Sequence, residues 1–144
     1  MSTSTRTATI NDVKYITELS FQLGYETTRE KTRKRLAEIL NNTDNCVFVA
    51  VNDAKVIGWI HGFYSLRVES ENFVEIGGLV VDNNYRNKGV GKLLIETVYN
   101  WSSLKECNKI RVRSNTIRKE AHQFYKNLGF TETKEQKVFG KQLG

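Results

Sequence analysis

The chain has 144 residues, a length that suits one domain, over residues 1–144, with a substantial core of its own. Hydrophobic residues make up 39% of the chain and charged residues 26%, and no apolar run reaches the length of a membrane-spanning helix. We therefore expect no membrane partner. The formal net charge of +6 favours a ligand rich in phosphate, and nucleic acid would also suit it.

The first residues and the cysteines indicate the compartment. The start, Met-Ser-Thr-Ser-Thr-Arg, lacks the apolar centre of a signal peptide. Cys46 and Cys107 have the spacing of neither a metal site nor a disulfide framework. We expect a cytoplasmic protein with reduced thiols and no bound metal.

Apolar periodicity predicts strands and helices that follow one another along the chain. Asn11 or Asp12 caps a first helix that Gly24 ends, and Thr27-x-x-Glu30 is a capping box for a second helix. In chain order we predict a strand over 5–10, a helix to about 23, a helix to about 41, strands over 46–51 and 56–64 joined by a hairpin turn at 52–55, a strand over 73–81, a helix over 90–101, a strand over 109–114, a helix over 118–128 and a last strand over 131–139.

A glycine-rich turn stands between the strand over 73–81 and the helix over 90–101. The first N–H groups of a helix have no partners within it and carry partial positive charge, so a strand, such a turn and a helix start form an anion site. The run fits neither a P-loop nor a dinucleotide fingerprint. It indicates a phosphate or pyrophosphate ligand, or else a loop with a solvated basic face. The turn reads Arg86-Asn87-Lys88-Gly89-Val90-Gly91-Lys92.

A second run with characteristic spacing follows downstream. It consists of Val112-Arg113-Ser114-Asn115 and then Ala121-His122-Gln123-Phe124-Tyr125-Lys126-Asn127-Leu128-Gly129-Phe130. In this order the two runs resemble the signatures of the GCN5-related N-acetyltransferases, Arg-x-x-Gly-x-Gly and then Ala-x-x-Phe-Tyr-x-x-x-Gly-Phe on a helix after a strand that ends in Asn. The resemblance covers about Val47 to Phe139. The second run is most similar to the bacterial small-molecule branch, which includes aminoglycoside acetyltransferase-like members.

This resemblance implies both the fold and the cofactor. The fold would be mixed α/β, with a central, mostly antiparallel, twisted sheet of six to seven strands flanked by about four helices. The cofactor would be acetyl-CoA, as a co-substrate. By the same resemblance its binding residues are Leu79, Val80, Val81, Arg86, Asn87, Lys88, Gly89, Val90, Gly91, Lys92, Asn115, Ala121, Phe124 and Tyr125.

Direct transfer of an acetyl group to an amine is the implied reaction, with Tyr125 and Glu75 as its catalytic residues. Tyr125 matches the family tyrosine that protonates the coenzyme sulfur. Alternatively it packs in the core, since it belongs to an apolar stripe at helical spacing. Asn115 matches the family's cofactor-contacting Asn, and it could equally cap the next helix.

Glu75 is the candidate general base. It lies 11 positions before Arg86, the spacing at which histone-acetylating members of the family carry their base. The alternative is an exposed strand charge. Strand alternation places Glu75, Gly77 and Leu79 on one face until a bulge breaks the count. His61 is a weaker candidate, because a single strand histidine is more often structural.

Gly77 and Gly78 in the middle of a strand indicate a bulge or a close approach by a bulky neighbour. In the family this strand bulges and splays from the next, so that the pantetheine arm pairs with the backbone, here at 79–81. A backbone N–H there would polarise the acetyl carbonyl.

The acceptor is predicted to be a primary amine of a small molecule or peptide, and dimers are common in the family. The resemblance places the acceptor near residues 22–35, and the chain also offers Phe63, Tyr64 and the 69–71 loop. The basic cluster on the second helix has no interleaved aromatic residues, so it favours a solvated face over a nucleic-acid surface, and it argues against a polycationic acceptor. The cluster consists of Arg29, Lys31, Arg33, Lys34 and Arg35.

The alternative function is a non-catalytic acetyl-CoA-binding sensor or subunit.

Overall fold

A single five-stranded sheet organises the first part of the chain in this computed structural model, which describes residues 2–144. The chain forms two compact units, one ending at Val112 and one running from Arg113 to Gly144. The elements are β1 (Thr3–Thr7), α1 (Val13–Phe21), α2 (Arg29–Leu40), β2 (Asn45–Asn52), β3 (Lys55–Ser65), β4 (Phe73–Val81), α3 (Val90–Leu104), β5 (Ile110–Val112) and α4 (Lys119–Asn127).

The strands lie in the order β1-β2-β3-β4-β5, and the first four pair antiparallel. β5 pairs with β4 in parallel. The predicted fold class, a mixed α/β fold with a mostly antiparallel sheet, is therefore confirmed. None of the helices within residues 2–144 is long and apolar enough to cross a membrane.

Helices cover both faces of the sheet. On one face α3 lies so close that a Cβ on Gly58 would stand 3.3 Å from Leu94, and one on Gly62 would stand 3.2 Å from Val98. On the other face α1 and α2 bury an apolar cluster against the strands, with Trp59 packed at its margin. The two faces thus have separate cores. The cluster under α1 and α2 comprises Ala8, Val13, Ile16, Leu19, Leu36, Val47, Val49, Val56 and Val80.

Local turn chemistry set several boundaries as predicted. β4 has the predicted bounds, and α3 begins at Val90 and runs three residues past Trp101. In the β2–β3 turn Asp53 and Ala54 both have positive φ, +48° and +67°, the geometry of a tight hairpin. Gly24 has a φ of +84° just after α1, as expected of a residue that ends a helix.

Two helix starts differ from the prediction. α2 begins one residue later than the predicted capping box, because Thr28 accepts a hydrogen bond from the Lys31 N–H at 3.1 Å. The Thr27 hydroxyl instead accepts a hydrogen bond from the Arg35 guanidinium at 3.4 Å. The first strand ends at Thr7, not at Ile10, since Ile10–Asp12 forms a 3-10 turn that leads into α1.

The strand count is the main correction. Within residues 2–144 there are five strands, not six or seven, and none over 131–139. β5 is shorter than predicted at three residues. Residues 131–144 are exposed throughout, with Phe139 at 88%. A strand needs a partner for its backbone groups, and this mostly polar segment has none of the burial that such a partner would bring.

The start of α1 is held by a buried carboxylate. Asp12 Oδ2 and Oδ1 accept hydrogen bonds from the two terminal guanidinium nitrogens of Arg6 at 2.8 and 2.9 Å, and Oδ2 also accepts from the Thr9 N–H at 2.8 Å. The Asp12 side chain is 4% exposed and that of Arg6 47%. The Arg6 hydrogen bonds hold the pKa of Asp12 below its usual value against the opposing effect of burial. This network ties β1 to α1.

We predict that Asp12→Asn lowers the free energy of unfolding at pH 7 by about 1.5–3 kcal/mol, the usual range for hydrogen bonds to a charged group. Because the folded pKa is depressed, the contribution is present above the unfolded pKa of about 3.9 and is lost as pH falls through the folded pKa. Urea unfolding measures this effect: the difference in unfolding free energy between variant and parent should be smaller at pH 3 than at pH 7.

Glu18→Gln is the matched control. It breaks the pair between Glu18 and Arg29, whose atoms lie 3.3 Å apart on two exposed side chains. Exposed pairs are worth less than about 1 kcal/mol. Equal unfolding free energies for Asp12→Asn and the parent at pH 7 would contradict the assigned role.

Candidate functional site

β4 has an open edge along its second half. Its ladder with β5 pairs only Val74 with Ile110, Glu75 with Arg111 and Ile76 with Val112. From Gly78 to Val81, β4 pairs with β3 alone among residues 2–144. Gly77 is exposed, and Gly78 and Leu79 are half-buried. An open edge of this kind offers backbone N–H and C=O groups to an extended ligand.

A β-bulge at Gly77 begins this open stretch. In the β3–β4 register His61 faces Gly78 while Gly62 faces Ile76, so Gly77 is the additional residue. A Cβ on Gly77 would stand 2.9 Å from Nδ1 of His61, and one on Gly78 would stand 2.7 Å from the Trp59 ring. The sequence predicted either a bulge or the close approach of a bulky neighbour at these two glycines, and both are present.

The bulge changes which β4 residues share a face. Before it, Glu75 is opposite Phe63, and beyond it Val80 is opposite Trp59. Phe63 and Trp59 lie on the same side of β3, so Val80 shares the Glu75 face. The bulge breaks the alternation, as the sequence analysis allowed, and the additional residue puts Val80 in place of Leu79 on that face.

The turn after β4 leads directly into the start of α3. Gly89 is the N-cap with a φ of +82°, and Asn87 has a φ of +62°. By helix geometry the first N–H groups of α3 have no intrahelical acceptor. The Arg86 side chain donates from Nε to the Val81 carbonyl at 3.3 Å, which ties the turn to the end of β4. Lys88 and Lys92 are exposed beside the helix start.

Tyr85 and Lys55 extend this basic surface, and the sequence analysis missed both. The ammonium groups of Lys55 and Lys88 each lie 5.6 Å from the centre of the Tyr85 ring. The Lys55 Nζ also lies 4.0 Å from Oδ2 of Asp82, so this carboxylate balances part of the positive charge of Lys55. An aromatic residue directly before Arg86 was the available signal. Only the folded chain brings Lys55, from the β2–β3 turn, to the same place.

Glu75 is half-buried on the face that α1 and α2 cover further along the sheet. Its neighbours across the sheet are Phe63 on β3 and Arg111 on β5. The opposite charge of Arg111 in register is a favourable pairing for a carboxylate. Glu75 therefore stands at the point where the β4–β5 ladder ends and the open edge begins.

His61 lies on the same face of the sheet. Its Nε2 is 2.7 Å from Oδ1 of Asn45 on β2, and its ring centre is 5.5 Å from that of Phe63. Burial lowers the pKa of the imidazole, which keeps the ring neutral near pH 7.

The second unit contains the remaining predicted site residues. Tyr125 packs on Phe124 and Phe130, with ring centres 5.2 and 5.6 Å away. Burial raises the pKa of its phenol. Asn115 Oδ1 accepts from the Ile117 N–H at 3.1 Å and so shapes the turn before α4, whose N-cap is Arg118. Ala121 and Phe124 are half-buried.

Comparison with known proteins begins with the fold. The aminoglycoside acetyltransferase AAC(6')-Iy, solved in complex with the bisubstrate analog CoA-S-monomethyl-acetylneamine, superposes with a TM-score of 0.88, covering 99% of this chain and 100% of that one at 22% identity. The architecture is that of an N-acetyltransferase. Residues 11–130 match the Acetyltransferase (GNAT) family, and the chain belongs to that family, as the two sequence signatures predicted.

Two relatives differ in how much of their length is matched. An aminoglycoside N(6')-acetyltransferase type 1 from Salmonella typhimurium is 33% identical over 109 residues, which cover 71% of this chain and 72% of the relative. An N-acetylaspartate synthetase from Xenopus tropicalis is 34% identical over 86 residues, 60% of this chain. That match spans only 31% of the length of the synthetase.

Proposed function

We propose that the protein transfers an acetyl group from acetyl-CoA to a primary amine of a small molecule or peptide, directly and within a ternary complex. The observation that carries this proposal is the open edge of β4, which leads through the Gly89 turn to the start of α3. Membership of the GNAT family supports the same conclusion.

The charge and shape of this region suit acetyl-CoA. The N–H groups at the start of α3, together with Arg86, Lys88 and Lys92, would hold the pyrophosphate. The backbone of 79–81 would pair with the pantetheine arm, because this edge of β4 has no neighbouring strand within the described residues. Bound there, acetyl-CoA supplies an acyl group activated as a thioester.

Tyr125 is proposed as the general acid for the departing thiolate. The match to the family motif supports this role, and burial raises the pKa of the phenol. A raised pKa keeps the proton on the phenol at neutral pH, which is the state that an acid needs. Its contacts with Phe124 and Phe130 would hold the ring in one orientation.

Glu75 is proposed as the general base that takes a proton from the acceptor amine, directly or through water. The residue is half-buried, and its Oε1 atom is shielded from solvent. Its position at the beginning of the open edge supports the role, because a base must be placed beside the thioester that this edge would hold.

The acceptor itself is proposed to be a small-molecule amine. The names of the two relatives point to amines of opposite charge, a polycationic aminoglycoside and the anionic amino acid aspartate. The five basic residues of α2 would repel a polycation. Within this cluster the Arg29 guanidinium pairs with the Glu18 carboxylate across 3.3 Å. We therefore favour an acceptor with few positive charges beyond the reacting amine.

Thiol release from acetyl-CoA in the presence of neamine, spermidine, L-aspartate and a short peptide with a free amino terminus tests the proposal. We expect transfer to at least one amine, and we expect acetyl-CoA to raise the thermal unfolding midpoint of the parent. Gly89→Val should abolish that rise, since a β-branched residue cannot adopt a φ of +82° without strain and would crowd the pyrophosphate.

Gly24→Val controls for strain alone, because Gly24 also has a positive φ, +84°, and also has open space around its Cβ position. It should leave the acetyl-CoA shift intact. Stabilisation by acetyl-CoA without transfer to any of the amines would instead indicate a non-catalytic sensor.

Tyr125→Phe keeps the ring and removes only the proton donor. We expect kcat to fall by about 10²–10⁴-fold, the usual contribution of general acid catalysis, with the acetyl-CoA thermal shift unchanged. Tyr99→Phe is the control, because burial also raises the pKa of Tyr99 but the residue lies on α3 away from the proposed chemistry. Lower stability with normal turnover in Tyr125→Phe would assign Tyr125 to the core.

Glu75→Gln keeps the shape of the side chain but cannot accept a proton. We expect its kcat/KM to be about 10²–10⁴-fold below that of the parent near pH 7 and to recover as pH approaches the pKa of the free amine. Glu96→Gln, on the exposed side of α3, should follow the parent at every pH. A profile for Glu75→Gln that overlays the parent profile would end the base assignment.

A further inference from the structure

The side-chain position that Gly77 leaves empty on β4 is filled by His61 from the neighbouring strand. Nδ1 of the imidazole lies 2.9 Å, and Cε1 3.3 Å, from where a Cβ of Gly77 would stand. Real Cβ atoms do not tolerate the shorter distance, so any larger residue at position 77 would displace the ring. The glycine thus allows β3 to place an imidazole over β4.

This imidazole and Glu75 are on the same face of the sheet. Glu75 lies opposite Phe63, and the Cβ position of Gly77 lies 3.1 Å from the Phe63 ring as well as against His61. An ammonium group bound on this face can therefore meet both side chains. A primary ammonium has three N–H donors, so two acceptors can hold it at once.

Asn45 determines which nitrogen of His61 can accept. The carbonyl oxygen of the Asn45 side chain can only accept a hydrogen bond, so at 2.7 Å it requires the proton on Nε2. Burial disfavours the charged ring, which leaves one proton on the imidazole near neutral pH. The lone pair is then on Nδ1, the atom that lies against Gly77.

We propose that Nδ1 of His61 is a second acceptor for the reacting amine, holding it next to Glu75, with Gly77 and Asn45 as the residues that position the ring. This inference rests on the proposed acetyl transfer to an amine. Under this inference two groups at the bulge select a primary amine: the Glu75 carboxylate on β4 and the His61 imidazole on β3. His61 is half-buried, so part of the residue remains accessible to a substrate.

Two substitutions of His61 distinguish the roles of its two ring nitrogens. His61→Asn retains an amide near the position of Nδ1, whereas His61→Gln places its amide near Nε2 and leaves the Nδ1 position empty. With the best amine of the panel, we expect His61→Gln to lower kcat/KM by about 10- to 100-fold, mainly through KM, which is the loss of one hydrogen bond to a charged group. His61→Asn should lose much less.

Gly77→Ala tests the same site without changing His61. It should reproduce the loss of His61→Gln, because the new Cβ displaces the ring. Gly140→Ala is the control, since a Cβ at Gly140 meets nothing within 4 Å, and it should match the parent. The acetyl-CoA thermal shift should be the same in all four variants and the parent.

Two results would overturn the inference alone: an active parent with an unchanged kcat/KM in His61→Gln, or equal losses in His61→Gln and His61→Asn. A parent that stabilises with acetyl-CoA but transfers to none of the amines would overturn the proposed function and this inference together.

Discussion

The early end of the pairing between β4 and β5 is the constraint on which the proposed site depends. After Ile76 and Val112 the two strands no longer pair, so the second half of β4 has one edge without a neighbouring strand among residues 2–144. An unpaired edge is normally a liability, because it invites association with another chain. Here the exposed stretch is short, it begins with two glycines, and it ends in a turn tied back to Val81 by Arg86. These features suit the edge to an extended ligand of limited length.

The bulge at Gly77 gives that edge its chemistry. Because of one additional residue on β4, Val80 and not Leu79 shares the face of Glu75, and Val80 packs in the core under α1 and α2. The same bulge leaves room for His61, which Asn45 orients from a third strand. Three strands thus contribute to one small, half-buried polar region. Hydrogen bonds among polar groups shielded from water favour a fixed arrangement over a mobile one.

Three predictions differ from the structure for separate reasons. Residues 131–139 are mostly polar, and no partner strand covers them within residues 2–144. Thr27 and Thr28 offer the same capping chemistry, and in the structure Thr28 caps α2 while Thr27 bonds Arg35. Alternation from Glu75 fails beyond Gly77, because the two glycines signal a bulge without showing which residue is the additional one.

The sequence by itself determined the elements whose limits depend on local chemistry. The bounds of β4 and the start of α3 follow from a β-branched run and from Gly89, which accepts a positive φ. The hairpin follows from the turn residues Asn52 and Asp53, and Ala54 also takes a positive φ there. The two family signatures likewise identified the fold class from residues near one another in the chain. Only the tertiary structure decided that His61 occupies the space of Gly77, that Lys55 joins the basic surface and that the β4–β5 ladder stops at Ile76. These contacts join residues far apart in sequence, and their geometry depends on strand register, which the packing of the whole sheet sets.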